Sequence, residues 1–156
     1  MIGGTAFVTS GEINTNILFA ALPYGLIVAS VLVGKHIDKL GPDLKKGIKT
    51  IPVILGENNS KILNKANFIL FYILILALVI FGVASPFILL TFLAIPRLIQ
   101  SWKIYSEEKP DSPPDGWTIW PLWYVGWAMY FNRKAGELLI VGMLLGIIVP
   151  WVISLF

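Results

Sequence analysis

Long runs of apolar residues dominate the chain, and most charged residues lie between them. Four runs approach the roughly 20 residues that a bilayer-spanning helix needs; they cover residues 16–34, 68–83, 86–102 and 137–156. Backbone polar groups in lipid must be hydrogen-bonded within their own segment, so each run predicts a helix. The short Ala84-Ser85-Pro86 sequence between the second and third runs predicts a tight turn, which makes these two helices an antiparallel hairpin.

Two further segments predict helices that do not cross the bilayer as separate spans. Met1–Gly11 is apolar but short, which predicts part of a helix. Residues 117–131 contain seven aromatic residues and Pro121; Trp and Tyr favour the headgroup layer, so we expect an interfacial or re-entrant helix. The predicted fold is an all-α, polytopic transmembrane helical bundle. It has about four full spanning helices, a partial N-terminal helix and an interfacial helix, in a single membrane domain over residues 1–156.

Composition supports the membrane assignment and excludes several kinds of chemistry. Hydrophobic residues make up 56% of the chain and charged residues 13%, whereas soluble domains carry about 25% charged residues. The chain has no cysteine, which excludes disulfides and thiolate chemistry, and with a single histidine it also excludes a structural zinc site. The first residues lack the basic region of a signal peptide, so we expect none. We expect no nucleic-acid partner.

The distribution of basic residues predicts the orientation. Loop 35–65 holds seven lysines, so the positive-inside rule places it in the cytoplasm. The hairpin then returns Lys103 and Lys109 to the same side. Arg133 and Lys134 join them if residues 117–131 do not cross, which is the favoured topology. We expect an integral protein of a prokaryotic plasma membrane, in which Arg97 snorkels from an apolar run to the interface.

The segment after the first run carries the candidate chemistry. Asp38 and Asp43 are interleaved with the lysines Lys39, Lys45, Lys46 and Lys49. Mg²⁺ is commonly held by one or two carboxylates plus phosphate oxygens, and lysines bind phosphate as point charges. The two acids are five residues apart and Gly41-Pro42 breaks the helix between them, so a helix alone does not align them. The alternative interpretation is a solvated basic loop beside a membrane, in which His36 is a polar cap.

At these residues the chain resembles the UbiA-type family of intramembrane prenyltransferases. The similarity is carried by Asp43, Gly47, Lys49, Thr50 and the apolar run Pro52–Gly56, which match the second aspartate-rich motif of that family. Upstream, the sequences of residues 4–11 and 22–26 resemble the preceding helix pair. Downstream, residues 132–136 (NRKAG) resemble the start of the last helix of the family.

The resemblance implies both a fold and a binding site. Members have about nine spanning helices around a central cavity, and two aspartate-rich loops hold Mg²⁺ and the prenyl diphosphate. By motif, Asp38 and Asp43 would be metal ligands, and Lys39, Lys46 and Lys49 would contact the diphosphate. The Asp38–Asp43 spacing is one residue longer than is usual in the family, so Lys39 occupies the position where an acid is expected. The remaining partners would be a hydrophobic, often aromatic, acceptor and the lipid bilayer.

The first aspartate-rich motif is not in the sequence, which matches only the carboxy-terminal half of the family. We therefore expect a half of the fold, inactive by itself, that acts with the missing N-terminal half in quinone or lipid biosynthesis. One alternative is a non-enzymatic membrane subunit or transporter fragment, in which Arg97 faces a partner helix. A CDP-alcohol phosphotransferase is disfavoured, because its motif needs several acids along one helix.

Overall fold

The protein is a bundle of antiparallel helices. A computed structural model describes residues 2–12 and 15–154, and every regular element within them is helical. In chain order the elements are α1 (Ile2–Ser10), α2 (Thr15–Asp38), α3 (Leu40–Lys45), α4 (Ile51–Leu55), α5 (Glu57–Ile80), a 3₁₀ helix (Pro86–Ala94), α6 (Ile95–Ile104) and α7 (Tyr124–Ile153). The predicted all-α class is confirmed.

Three helical stretches among the described residues are long and apolar enough to cross a bilayer. These are Thr15–Asp38, Glu57–Ile80 and the continuous stretch Pro86–Ile104. They correspond to the first three predicted spans, and the chain is an integral membrane protein. The fourth predicted span lies on α7, a helix of 30 residues; its crossing stays a prediction, and its last residues, 155 and 156, lie outside the described part of the chain.

Four long elements alternate in direction along the chain: α2, α5, the 3₁₀ helix continued by α6, and α7. Helix α7 packs against the 3₁₀ helix, α2 and α6, and α2 packs along α5. Phe131 of α7 reaches α5 through the core: its ring centroid lies 5.0 Å from that of Phe68 and 5.9 Å from that of Phe71. All three rings are fully buried. Edge-to-face aromatic contacts of this kind stabilise the core beyond the contribution of the surface area that they bury.

The contact between α7 and the 3₁₀ helix depends on Gly142. A side chain at this position would bring a Cβ atom to 2.5 Å from the carbonyl oxygen of Phe87 and 2.7 Å from the Cα of Ile88. In a membrane, small residues let helix backbones approach closely where the hydrophobic effect gives no driving force. Gly142 therefore sets the distance between these two elements.

The predicted interfacial helix over residues 117–131 differs from the structure. Residues 117–123 are not helical and contain a turn at 118–121, and the helix begins only at Tyr124 and continues through α7. Pro121 has no N–H for a helix. The Trp117 ring packs on Trp123 and Trp127 at centroid distances of 4.7 and 5.8 Å. The aromatic residues therefore fold this turn back onto the first turns of α7.

The loop predicted over residues 35–65 is also shorter than expected. Helix α2 continues through Asp38, and α5 begins at Glu57, so Lys61 and Lys65 are helical. Hydropathy marks only the apolar part of a helix, whereas the ends continue through polar residues. The connection consists of residues 39–56 with the short helices α3 and α4.

We expect Gly142→Ala to destabilise the bundle by about 1–3 kcal/mol, because the added methyl group must displace backbone atoms of the 3₁₀ helix. Thermal unfolding in detergent micelles measures the effect. Gly25→Ala is the matched control, since Gly25 lies inside α2 and a Cβ there meets nothing within 4 Å. Equal melting temperatures for the two variants would contradict the close-packing role of Gly142.

Candidate functional site

The candidate site lies at the end of the bundle where α2 ends and α5 and α7 begin, which we call the motif end. Asp38 is the last residue of α2, and α3 carries Asp43. Gly47 follows α3 with φ of 67°, and the N–H of Ile48 donates to the Asp43 carbonyl at 3.0 Å. This left-handed glycine ends α3 and turns the chain back, so the Gly47–Thr50 part of the motif has a structural basis.

Asp38 caps the start of α7. Its carboxylate accepts hydrogen bonds from the backbone N–H groups of Tyr124 at 3.1 Å and Val125 at 2.9 Å. The Lys109 ammonium lies 3.7 Å from the same carboxylate, whose side chain is fully buried. The first N–H groups of a helix have no partner within the helix, and an anion there also interacts favourably with the helix dipole. The sequence does not predict this role, because the contact joins residues 86 and 87 positions apart.

Asp43 has a different partner. Its Oδ2 lies 3.1 Å from His36 Nδ1, and its side chain is 10% exposed whereas that of His36 is 36% exposed. The structure therefore directs the two acids of the motif to different groups: Asp38 to α7 and Asp43 to His36. His36, a polar cap in the alternative interpretation, lies in the last turn of α2 and is the side-chain partner of Asp43.

The three predicted diphosphate lysines, Lys39, Lys46 and Lys49, are exposed. None of them forms an ion pair with a side chain of the described residues, so their ammonium groups are available to a ligand. Thr50 follows in the motif; its buried hydroxyl has no hydrogen-bond partner in the part of the chain that the structure describes. The motif thus contains three exposed ammonium groups and one buried hydroxyl without a hydrogen-bond partner.

A polar cleft of about 610 Å³ opens beside the end of the motif. It is lined by Leu55, Gly56, Glu57, Asn58, Asn59, Lys61, Glu108 and Lys109. Lys61 donates to Glu57 at 2.7 Å and lies over the Tyr124 ring at 4.7 Å. These residues lie outside the predicted site. The sequence predicts Lys61 and Lys109 only as basic residues of loops, because their convergence depends on how α5 packs against the connector that follows α6.

A buried polar network supports this end of the bundle. Asn64 donates to the Ser30 carbonyl at 2.9 Å and to the Tyr105 hydroxyl at 2.8 Å, and Tyr105 donates to the Tyr124 carbonyl at 2.8 Å. Burial raises the pKa of the Tyr105 phenol far above its ordinary value, so the hydroxyl stays protonated as a donor. Gly34 admits this ring, since a Cβ there would lie 2.7 Å from the Tyr105 hydroxyl.

Comparison with known proteins identifies the family. Residues 1–123 match the model of the UbiA prenyltransferase family. The chain belongs to this family. It is also 30% identical over 103 residues to the 1,4-dihydroxy-2-naphthoate octaprenyltransferase of Bacillus subtilis (strain 168), a match that covers 66% of the chain and 33% of the relative. The match thus spans about a third of the length of that relative. No solved structure matches the chain.

The Mg²⁺ site that the resemblance implies stays a prediction. Within residues 2–12 and 15–154, no group of three or more His, Cys, Asp or Glu side chains is placed to hold a metal ion. Asp43 is a single carboxylate, so a Mg²⁺ ion at this position would take its remaining ligands from phosphate oxygens, water and groups outside these residues. The contacts of Asp38 favour its capping role, and its metal role stays a prediction.

We expect Asp38→Ala to lower the free energy of unfolding by about 2 kcal/mol, because two buried N–H groups lose their acceptor. Hydrogen exchange at the Tyr124 and Val125 amides measures the local effect, and denaturant unfolding in mixed micelles measures the global one. Asp111→Ala is the control, since Asp111 is exposed in the connector. Unchanged protection of the two amides would contradict the cap.

Proposed function

We propose that this chain forms the part of an intramembrane prenyltransferase that binds the diphosphate of the prenyl donor. Family membership supports prenyl transfer in general, and the relative in Bacillus subtilis is by its name an octaprenyltransferase of a naphthoate acceptor. The observation that carries the proposal is the conjunction of the nearly buried Asp43 with three exposed, unpaired lysines on one motif. The motif end faces the cytoplasm in this proposal.

In this reaction the C1–O bond of the prenyl diphosphate breaks and the diphosphate leaves with the electron pair. A nucleophilic carbon of the acceptor forms the new bond to C1 and then loses a proton. Mg²⁺, when bound, neutralises charge on the departing diphosphate. Asp43 would hold it, while Lys39, Lys46 and Lys49 bind the diphosphate oxygens as positive charges. The isoprenoid tail lies among the apolar helices, and the acceptor is hydrophobic, as in quinone biosynthesis.

Ionising the prenyl diphosphate requires Mg²⁺ held by both aspartate-rich loops of the family. The described residues supply the second of these loops. The chain by itself therefore binds a prenyl diphosphate weakly and transfers no prenyl group. Transfer of a labelled prenyl group by the chain together with a first-motif half of the family, and not by the chain alone, tests this division. The Asp43→Ala variant provides the second test. Undiminished prenyl transfer with unchanged Mg²⁺ dependence in the combined system would reject the role of Asp43.

We expect Asp43→Asn to weaken the Mg²⁺-dependent binding of farnesyl diphosphate to the chain in nanodiscs by at least about tenfold, because a carboxylate bond to the ion is lost. Binding without Mg²⁺ should change little. Asp111→Asn in the exposed connector is the control. A chain that binds no farnesyl diphosphate at all, with or without Mg²⁺, would favour the non-enzymatic subunit.

Lys49 matches the basic position of the family motif, and Lys49→Gln should weaken farnesyl diphosphate binding about tenfold through the loss of a charge-assisted hydrogen bond. The effect should shrink at high salt, since the group is exposed. Lys103→Gln is the matched control, because Lys103 is a basic residue of α6 with a side chain that is 75% exposed. Equal affinities of the two variants would remove Lys49 from the site.

A further inference from the structure

His36 and Asp43 form a side-chain contact between α2 and α3. The imidazole Nδ1 of His36 lies 3.1 Å from Asp43 Oδ2, and the two side chains are 36% and 10% exposed. His36 belongs to the last turn of α2. Neither the proposed Mg²⁺ role of Asp43 nor the proposed diphosphate role of the motif lysines assigns a function to His36.

A bend in the chain brings these two residues together. In one continuous helix, residues seven positions apart are separated by about 10.5 Å along the axis, which is too far for His and Asp side chains to be hydrogen-bonded. Pro42 has no N–H to donate to the Asp38 carbonyl four residues before it, and the helix is interrupted at Lys39. The bend at this interruption places Asp43 within hydrogen-bonding distance of His36.

The same contact anchors α3. Asp43 is the buried residue of this six-residue helix, whereas the next residue, Leu44, is 56% exposed. A helix this short is not stable by itself in water and depends on contacts with the rest of the protein. The buried side chain of α3 is thus an acid, and its partner is His36. The hydrogen bond between them therefore holds α3 against the end of α2.

The hydrogen bond also distinguishes the two oxygens of the carboxylate. An ionised carboxylate only accepts hydrogen bonds, so the hydrogen lies on His36 Nδ1. Asp43 Oδ2 accepts it, whereas Oδ1 has no hydrogen-bond partner within residues 2–12 and 15–154. Carboxylates that bind metal ions are commonly held by hydrogen bonds from groups outside the ligand set, which fix their orientation. His36 stands in this relation to Asp43.

We propose that His36 is a positioning residue for Asp43. Its Nδ1–H fixes Oδ2 and holds α3 against α2, so that Oδ1 stays available to the Mg²⁺ that accompanies a prenyl diphosphate. This role rests on the proposed function of the motif, since Asp43 is the group through which His36 acts. One of the two measurements that test it therefore needs no prenyl diphosphate.

The first measurement locates the proton of His36. The chain contains one histidine, so labelling with ¹⁵N-histidine gives the nitrogen signals of a single imidazole. At about pH 9, above the ordinary titration range of histidine, ¹⁵N NMR in detergent micelles should show the proton on Nδ1. In Asp43→Ala the fraction with the proton on Nδ1 should fall, because the acceptor is lost. A parent chain with the proton on Nε2 would overturn the proposal.

The second measurement is the Mg²⁺-dependent binding of farnesyl diphosphate to the chain in nanodiscs. His36→Leu should weaken it about tenfold, the lower end of the effect of removing a group that orients a metal ligand. His36→Asn should bind like the parent chain, because the Asn amide places an N–H donor on Cγ, as Nδ1 does. In a chain that already carries Asp43→Asn, His36→Leu should weaken binding no further, since the carboxylate is gone.

Circular dichroism and melting temperatures of both His36 variants separate a lost orientation from a lost fold. Parent-like binding by His36→Leu overturns the proposal. So does an equal loss in His36→Asn, which would assign the requirement to the imidazole itself, or an equal loss with and without Mg²⁺, which would indicate a general structural role. A parent chain that binds no farnesyl diphosphate, although NMR shows the proton on Nδ1, rejects the proposed function and with it the role of His36, while the hydrogen bond stands.

Discussion

The carboxylate of Asp38 joins two parts of the bundle that are 86 and 87 residues apart in sequence. It is buried at the end of α2 and accepts the N–H groups with which α7 begins. A buried carboxylate is unfavourable unless it is hydrogen-bonded, and so are the unpaired N–H groups at a helix start. Each satisfies the other, so the contact fixes where α7 begins against α2.

The position of this first turn sets the contacts of the later residues of α7. With Tyr124 held beside Gly34, Phe131 meets Phe68 in the core and Gly142 meets the 3₁₀ helix. A helix is rigid along its axis, so one fixed end sets the depth of every side chain on it.

At the motif end, the two acids of one short sequence have different partners. Asp38 accepts the first N–H groups of α7, whereas Asp43 pairs with His36. Two acids in a motif suggest two metal ligands, yet a buried carboxylate can instead accept hydrogen bonds from the unpaired N–H groups at the start of another helix. The Asn64 amide and the Tyr105 hydroxyl extend the same rule, because both donate hydrogen bonds to partners inside the bundle.

The helical class, the membrane environment, the approximate positions of three spans and the family motif could all be predicted from the amino-acid sequence. These depend on local properties: apolar length, the need to satisfy backbone groups in lipid, and the identity of adjacent residues. The motif from Asp43 to Gly56 could be recognised because its residues are contiguous in the sequence.

Tertiary packing instead decided the partner of Asp38, the single long helix α7 and the position of Arg97 beside Tyr130. An isolated sequence cannot show which helix start lies opposite a carboxylate, since that contact spans most of the chain. The same holds for residues 117–123, whose aromatic composition suits an interfacial helix but whose rings find better contacts on α7. Local sequence sets which groups need a partner, and packing between distant segments decides which partner each one receives.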